Sequence, residues 1–230
     1  MPSDEIRQIL SQNAWFASLP TSLADKLLEK GKLRVLQDQR LLHQKNDPPD
    51  GFYCVVTGRI RISNFTVEGK ELVLTWVQSG HWFGEISLID GQPRTHDAHA
   101  EDTTTIFIIA NSVFEQLFIS HPDWSKHIMR LLCQRVRATF SLIDETGCLS
   151  LKGQLCKRLS LMQQGLEEQQ KQSLAVGLII SQDTLAQLIN SSRQTVNKIL
   201  QSLQADKVIR LHYGKIDILN AVALEELSQI

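Results

Sequence analysis

The chain has 230 residues, a formal net charge of −1 and a hydrophobic share of 42%, which leaves room for two domains of ordinary soluble composition. No apolar run is long enough to span a bilayer, and the opening Met-Pro-Ser-Asp-Glu leads into no signal-peptide core, so a membrane protein is excluded and a cytoplasmic location is expected. The balanced charge does not exclude a local nucleic-acid face, because Lys and Arg gather near the C-terminal end and acidic residues return in the last stretch.

Residues Asp4 to Gln12 and Leu23 to Leu33 read as two short amphipathic helices split by Leu19-Pro20-Thr21, with Thr21 or Ser22 as the N-cap of the second. They suit a lid or brace. From Arg34 to Ile109 the texture changes to β-rich runs, Phe52 to Val56, Arg59 to Phe65, Glu71 to Val77 and Thr104 to Ile109. Turn signals separate them at Asp47-Pro48-Pro49-Asp50-Gly51, Thr57-Gly58, Glu68-Gly69 and Ser79-Gly80. Short antiparallel strands at this spacing predict a small roll, a shape that holds ligands in its mouth.

One segment interrupts the roll, from Gly80 through Gly84-Glu85-Ile86-Ser87-Leu88-Ile89-Asp90-Gly91-Gln92-Pro93-Arg94-Thr95. Gly84 allows backbone to approach a guest, Glu85 to Ile89 suit a single helical turn, and the turn's first N–H groups suit an anion. Pro93 fixes the approach of Arg94, whose guanidinium can neutralise a phosphate, and Thr95 adds a hydroxyl. The competing reading is that Arg94 and Glu85 pair with each other across a turn.

Four cysteines, Cys54, Cys133, Cys148 and Cys156, lie far apart without metal-site spacing, so free, mostly buried thiols are expected. His96-Asp97-Ala98-His99 is the densest histidine group, and on a strand its two imidazoles point to opposite faces. No metal is expected.

Asn111 to Thr146 reads as one long helix. Met129, Leu132, Val136, Thr139 and Ile143 recur at gaps of three and four, the spacing of a two-stranded seam, and Trp124, Ile128, Leu131, Ala138 and Leu142 form a second row. A symmetric homodimer buries both rows, one on a twin helix and one on the chain's own body. A single wide apolar face within a monomer is the alternative.

After Gly147, Lys152 to Gln164 reads as a helix with Leu155, Leu159 and Met162 inward, Gly165 to Ser173 as a polar loop or helix tail, and Leu174 to Ile180 as a short strand. Ser181 caps a helix running to Asn190, which stands at a turn that needs a left-handed backbone. A second helix begins at Ser191-Ser192-Arg193-Gln194-Thr195, burying Val196, Ile199 and Leu200 and exposing Arg193, Gln194, Asn197 and Lys198. This spacing is that of a helix-turn-helix, whose second helix puts its N-terminal residues into the DNA major groove. Asp206 to Ile209 and Leu211 to Leu219, with a turn at Tyr213-Gly214-Lys215, read as a hairpin wing whose Lys215 and His212 reach either phosphates or solvent.

Gly-Glu, a short turn and Pro-Arg-Thr together resemble the phosphate-binding cassette of cyclic-nucleotide-binding domains. The order of brace, roll, long helix and terminal domain resembles the bacterial Crp/Fnr regulators over nearly the whole chain. The resemblance implies an α+β fold with an N-terminal antiparallel β-roll of cyclic-nucleotide-binding type, a long dimerisation helix and a C-terminal winged helix-turn-helix. The corresponding domains are residues 1–110, 111–147 and 148–230.

It assigns Glu85 to a ribose hydroxyl, Arg94 to the phosphate and Gly84, Ile86, Ser87 and Thr95 to the clasp, with Thr139 and Phe140 at the purine-reading pair of the dimer helix. His96 stands where the family has a small Ala, and Phe140 where cyclic AMP receptors have Ser. Cyclic AMP is the first expected effector and cyclic GMP the second.

At the DNA end the resemblance implicates Ser181, Gln182, Ser192, Arg193, Gln194, Thr195, Asn197 and Lys198, with Arg193 reading guanine. Gln194, in place of a common Glu, suits adenine better than cytosine. The expected function is a homodimeric transcription regulator on near-palindromic double-stranded DNA with half-sites about 34 Å apart, contacting RNA polymerase. Effector binding would shift its helix arrangement by a coupling of about 1–3 kcal/mol. Three alternatives stand beside it: a family member without a ligand or with a different one, a redox-sensing relative, and a cupin-type metal enzyme built on His81 and Glu85.

Overall fold

The computed structural model describes residues 3–69, 71–169 and 177–229. The chain forms two compact units, Met1–Val136 and Arg137–Ile230. The first opens with helices α1 (Ser3–Leu10), α2 (Ala14–Ala17) and α3 (Thr21–Lys30). Strands β1 (Lys32–Leu36), β2 (Leu41–His43), β3 (Gly51–Phe65), β4 (Glu71–Gln78) and β5 (Trp82–Phe83) follow, then α4 (Glu85–Asp90), β6 (Asp97–Ala110), α5 (Asn111–Ser120) and α6 (Trp124–Cys148).

The described strands pair antiparallel in the order β1-β6-β3-β4, with β2 on β6 and β5 on β3. The spine is β3 against β6, registered from Gly51 opposite Ala110 to Ser63 opposite Asp97. Thr57-Gly58, expected to separate two strands, instead marks a bulge within one 15-residue strand. Gly58 takes φ 77° there, and a Cβ would meet Thr104 Oγ1 at 2.5 Å, so the position needs glycine.

The brace helices share a core with the sheet and with the start of α6. Trp15, Phe16, Phe52, Trp82, Phe114 and Trp124 are all buried in it, with Phe16 stacked on Trp82 at 5.3 Å and Phe114 edge-on to Trp124 at 5.4 Å. Trp15 Nε1 donates to the carbonyl of His127 at 2.7 Å, fixing the first turn of α6 to the brace. The N-cap of α3 is Pro20, not Thr21 or Ser22, and it has no side-chain cap bond.

The single helix expected from Asn111 to Thr146 is two helices. His121 sits at φ −136°, ψ 89° between α5 and α6, because Pro122 disfavours helical backbone in the residue before it. Along α6 the two apolar rows separate as their spacing predicts only over the first turns, and Ala138 and Leu142 of the expected inward row are exposed. Trp124, Ile128 and Leu131 are buried, whereas Met129, Val136 and Ile143 are at least half exposed, at 57%, 50% and 58%.

The second unit adds α7 (Leu151–Gln169), β7 (Leu178–Ile179), α8 (Gln182–Leu188), α9 (Arg193–Ala205), β8 (Ile209–His212), β9 (Lys215–Ile218) and α10 (Ala221–Leu227) to the end of α6. Leu155, Leu159, Leu185, Val196, Leu200, Ile209, Ile216 and Leu224 fill its core, and β7-β9-β8 form the small sheet. Glu145 of α6 receives Lys157 Nζ at 3.1 Å and Arg158 Nη2 at 3.0 Å, tying the end of that helix to α7. Helix α7 extends to Gln169, the helix-tail form of the two readings given for 165–173, while 170–173 and the expected strand residues 174–176 lie outside the described residues.

Cys54 and Cys156 are buried, Cys133 and Cys148 exposed, and all four thiols are free. Burial pushes the Cys54 thiol well up and that of Cys156 to about 11. Among the described residues no group of three or more His, Cys, Asp or Glu could hold a metal ion, and no helix is long and apolar enough to cross a membrane.

Candidate effector site and DNA-reading surface

Strand β5 delivers the chain to Gly84, whose φ of 92° turns it into α4. No other residue fits: a Cβ there would lie 2.9 Å from Arg94 Nη1 and 3.0 Å from Tyr53 Cδ2, and the backbone is left-handed. Helix α4 ends at Gly91, φ 69°. Its Ser87 hydroxyl donates to the Pro93 carbonyl at 3.1 Å, and Thr95 is exposed beside His96. Ile86 is 48% exposed.

Arg94 is fastened at both ends. Its backbone N–H donates to Asp47 O and its carbonyl accepts from Asn46 N–H, each at 2.8 Å. Its guanidinium, 3% exposed as a residue, turns inward. Nη1 donates to Gly84 O at 2.7 Å, and Nη2 lies 2.6 Å from Gly51 O, 2.8 Å from Asp50 Oδ1 and 3.2 Å from Tyr53 Oη. The Tyr53 ring sits 5.1 Å from the guanidinium carbon, and its hydroxyl donates to Asp50 Oδ1. Nε is buried without a hydrogen-bond partner.

This cluster sets the charge states around it. Burial pushes the Asp50 carboxyl up, but hydrogen bonds from Tyr53 and Arg94 and the Arg94 charge outweigh it and leave the pKa below the ordinary value. Burial and the Asp50 hydrogen bond hold the Tyr53 phenol far above its usual range. His43 stacks on Tyr53 at 6.0 Å with both ring nitrogens buried and unpartnered. Burial, and secondarily the Arg94 charge, lower its pKa to about 4.

Glu85, only 3% exposed, does not pair with Arg94. Its Oε1 accepts from Arg135 Nε of α6 at 3.2 Å, and Arg135 Nη2 also donates to the Trp82 carbonyl. Asp50, Tyr53 and Arg135 were not singled out by the sequence. Asp50 lies in a Pro-rich turn, Tyr53 in an apolar strand run and Arg135 among other polar helix residues. Thr139 and Phe140 are exposed positions of α6. As arranged, both terminal nitrogens of Arg94 contact protein oxygens, while its Nε has no partner.

In the second unit the helix-turn-helix is built by two caps and a turn. Ser181 Oγ accepts from Thr184 N–H at 3.0 Å at the start of α8, and Ser192 Oγ from Thr195 N–H at 3.0 Å at the start of α9. Asn190 supplies the left-handed backbone between them, φ 46°, and Ser191 N–H closes the turn on Ala186 O at 2.9 Å. Arg193, Gln194 and Lys198 are exposed on α9. Arg193 Nη1 lies 3.3 Å from Asp183 Oδ2, and Asn197 Nδ2 donates to Gln182 Oε1 at 3.0 Å, so α8 side chains orient two polar residues of α9. In the wing, Lys215 and His212 both contact Asp217, at 3.2 and 2.8 Å.

Comparison with known proteins matches the two units to separate domains. Residues 33–121 match the cyclic nucleotide-binding domain and residues 153–227 the Crp-like helix-turn-helix domain. The "CRP-like cAMP-activated global transcriptional regulator" of Mycobacterium tuberculosis (strain ATCC 25618 / H37Rv) is 28% identical over 73% of this chain and 75% of that one. The "Cyclic AMP receptor protein" of Thermus thermophilus is 25% identical over 93% of this chain and 95% of its own.

Among solved structures, the regulator CLP of Xanthomonas campestris superposes with a TM-score of 0.70 at 21% identity, covering 86% of this chain and 99% of that chain. FixK2 of Bradyrhizobium japonicum gives 0.71 at 16%, covering 86% and 96%. Fold and domains define a DNA-binding transcription regulator with an N-terminal cyclic nucleotide-binding domain, and not an enzyme. The chain belongs to the Crp/Fnr family.

Proposed function

We propose that the protein acts as a homodimer on a near-palindromic operator, each α9 entering the major groove of one half-site. The observation that carries this reading is the doubly capped helix-turn-helix, with Arg193, Gln194 and Lys198 exposed at the N-terminal part of α9. Ser181, Gln182, Ser192, Thr195 and Asn197 complete the proposed contact set, the first two from α8 and its cap. Dimerisation through α6 is supported by its exposed row, in which Met129 and Val136 are 57% and 50% exposed. RNA polymerase is the proposed further partner, since the family regulates transcription.

Selection from randomised duplexes should return a two-fold symmetric site. Arg193→Ala should then weaken binding by about 1–3 kcal/mol and relax selectivity at one base pair in each half-site. Unchanged affinity and selectivity in that variant would remove Arg193 from the interface.

For the effector, cyclic AMP is the first candidate and cyclic GMP the second, supported by the domain match and by relatives named as cAMP-activated. The proposed contacts are Gly84, Glu85, Ile86, Ser87, Arg94, Thr95, Thr139 and Phe140. A second reading, in which the protein works with no ligand at Arg94, is favoured by the inward engagement of its guanidinium. Operator binding measured with cyclic AMP, with cyclic GMP and with neither separates the two readings.

A further inference from the structure

We propose that Asp50 is a built-in counter-anion, holding the place on Arg94 that a ligand phosphate would take and thereby weakening cyclic nucleotide binding. This deepens the second reading of the effector site and is independent of how the protein reads DNA.

Three observations meet at this point. First, the guanidinium is buried, with its side chain 2% exposed, whereas the Asp50 side chain is 56% exposed. The carboxylate therefore touches both the hidden cation and the solvent from which a ligand would arrive. Second, the remaining partners of Arg94 are fixed protein groups: the Gly84 and Gly51 carbonyls and the Tyr53 hydroxyl. Among these contacts Asp50 alone carries negative charge, so it is the partner that competes with an external anion. Third, Tyr53 ties the arrangement together, with its hydroxyl donating to Asp50 while its oxygen faces Nη2.

The exchange is one between electrical equals. A cyclic phosphodiester carries one negative charge, as does a carboxylate, so a ligand gains no net Coulomb advantage by displacing Asp50. The carboxylate is also covalently held near its cation, and a tethered partner acts at an effective concentration on the order of millimolar or more. Displacement still has a path, because an exposed Asp50 can return to water. The effect is therefore a weakening and not an absolute block. Glu85 is occupied in parallel by Arg135, so the group matched to the ribose is also engaged within the protein.

The test is calorimetric titration of cyclic AMP and cyclic GMP into the full-length protein and into Asp50→Ala, Asp50→Asn and the double variant Asp50→Ala/Arg94→Gln. Asp50→Ala should bind at least one nucleotide tenfold or more tighter than the wild type, and the gain should vanish in the double variant. Asp50→Asn keeps the side-chain shape and removes only the charge. It should show a smaller gain in the same direction, and it decides the matter if Asp50→Ala fails to fold.

Equal nucleotide affinity in wild type and both Asp50 variants, or no binding by either variant, would overturn the proposal. Operator binding by each variant is read separately. Unchanged operator binding in Arg193→Ala with the nucleotide result as expected marks failure of the DNA-reading assignment alone, and weakened operator binding in Arg193→Ala with equal nucleotide affinity in wild type and both Asp50 variants marks failure of this proposal alone.

Discussion

At the scale of single residues the determining group is a buried cation, because everything around Arg94 must be an acceptor or stay neutral. His43 stays neutral. Its folded pKa of about 4 lies below the ordinary 6.5, so between those values the unfolded chain binds a proton that the folded chain refuses. The associated stability is complete above about pH 6.5 and is lost as the pH falls toward 4, on the order of 3 kcal/mol at most. His43→Phe keeps a ring against Tyr53 and removes two stranded nitrogens. Urea unfolding of this variant between pH 7 and 4 should show a flatter loss of stability than the wild type, and an unchanged slope would remove His43 as its source.

The types of residue at this site were legible in the chain: Gly84, Glu85 and Arg94 stand where a phosphate cassette would have them. Their partners were not. Asp50 and Arg94 are 44 positions apart, and Arg135 and Glu85 are 50 apart. Such pairings depend on sheet register and helix docking, which one sequence does not encode in any local pattern.

At the scale of elements, local rules predicted the second unit more closely than the first. Ser181 as a cap and Asn190 as a left-handed turn follow from backbone chemistry within a few residues, and both are found. Ser192→Ala removes the hydroxyl that accepts Thr195 N–H and should cost about 1 kcal/mol. A melting temperature lowered by a few degrees, with weaker operator binding, is the expected outcome. An unshifted melt would mean that the α9 cap adds nothing.

The first unit contains what local rules miss. A Gly inside β3 makes a bulge where a turn was expected, since Thr57-Gly58 looks the same in both settings. Strands β2 and β5 are only three and two residues long, too short to show alternation, and β1 begins inside the segment that reads as helix to Leu33. The break before α6 was present in the sequence as Pro122, but the continuous apolar spacing on either side outweighed it.

At the scale of the molecule, the exposed row of α6 is the feature that asks for a second chain. Trp124, Ile128 and Leu131 are buried within the first unit, whereas Met129 and Val136 are at least half exposed. Val136→Glu should therefore give a monomer by sedimentation velocity and reduce affinity for a two-half-site duplex by tenfold or more, while leaving the melting of the first unit near that of the wild type. A dimer that survives this substitution would place the interface elsewhere.

The thiols of the same helix add a practical consequence. Cys133 and Cys148 are open to solvent, whereas Cys54 and Cys156 are buried and hard to ionise. Maleimide reagents should thus find natural attachment points on α6 alone, and spin labels there would make the native chain its own ruler for the separation of the α6 helices in the proposed dimer, with and without operator.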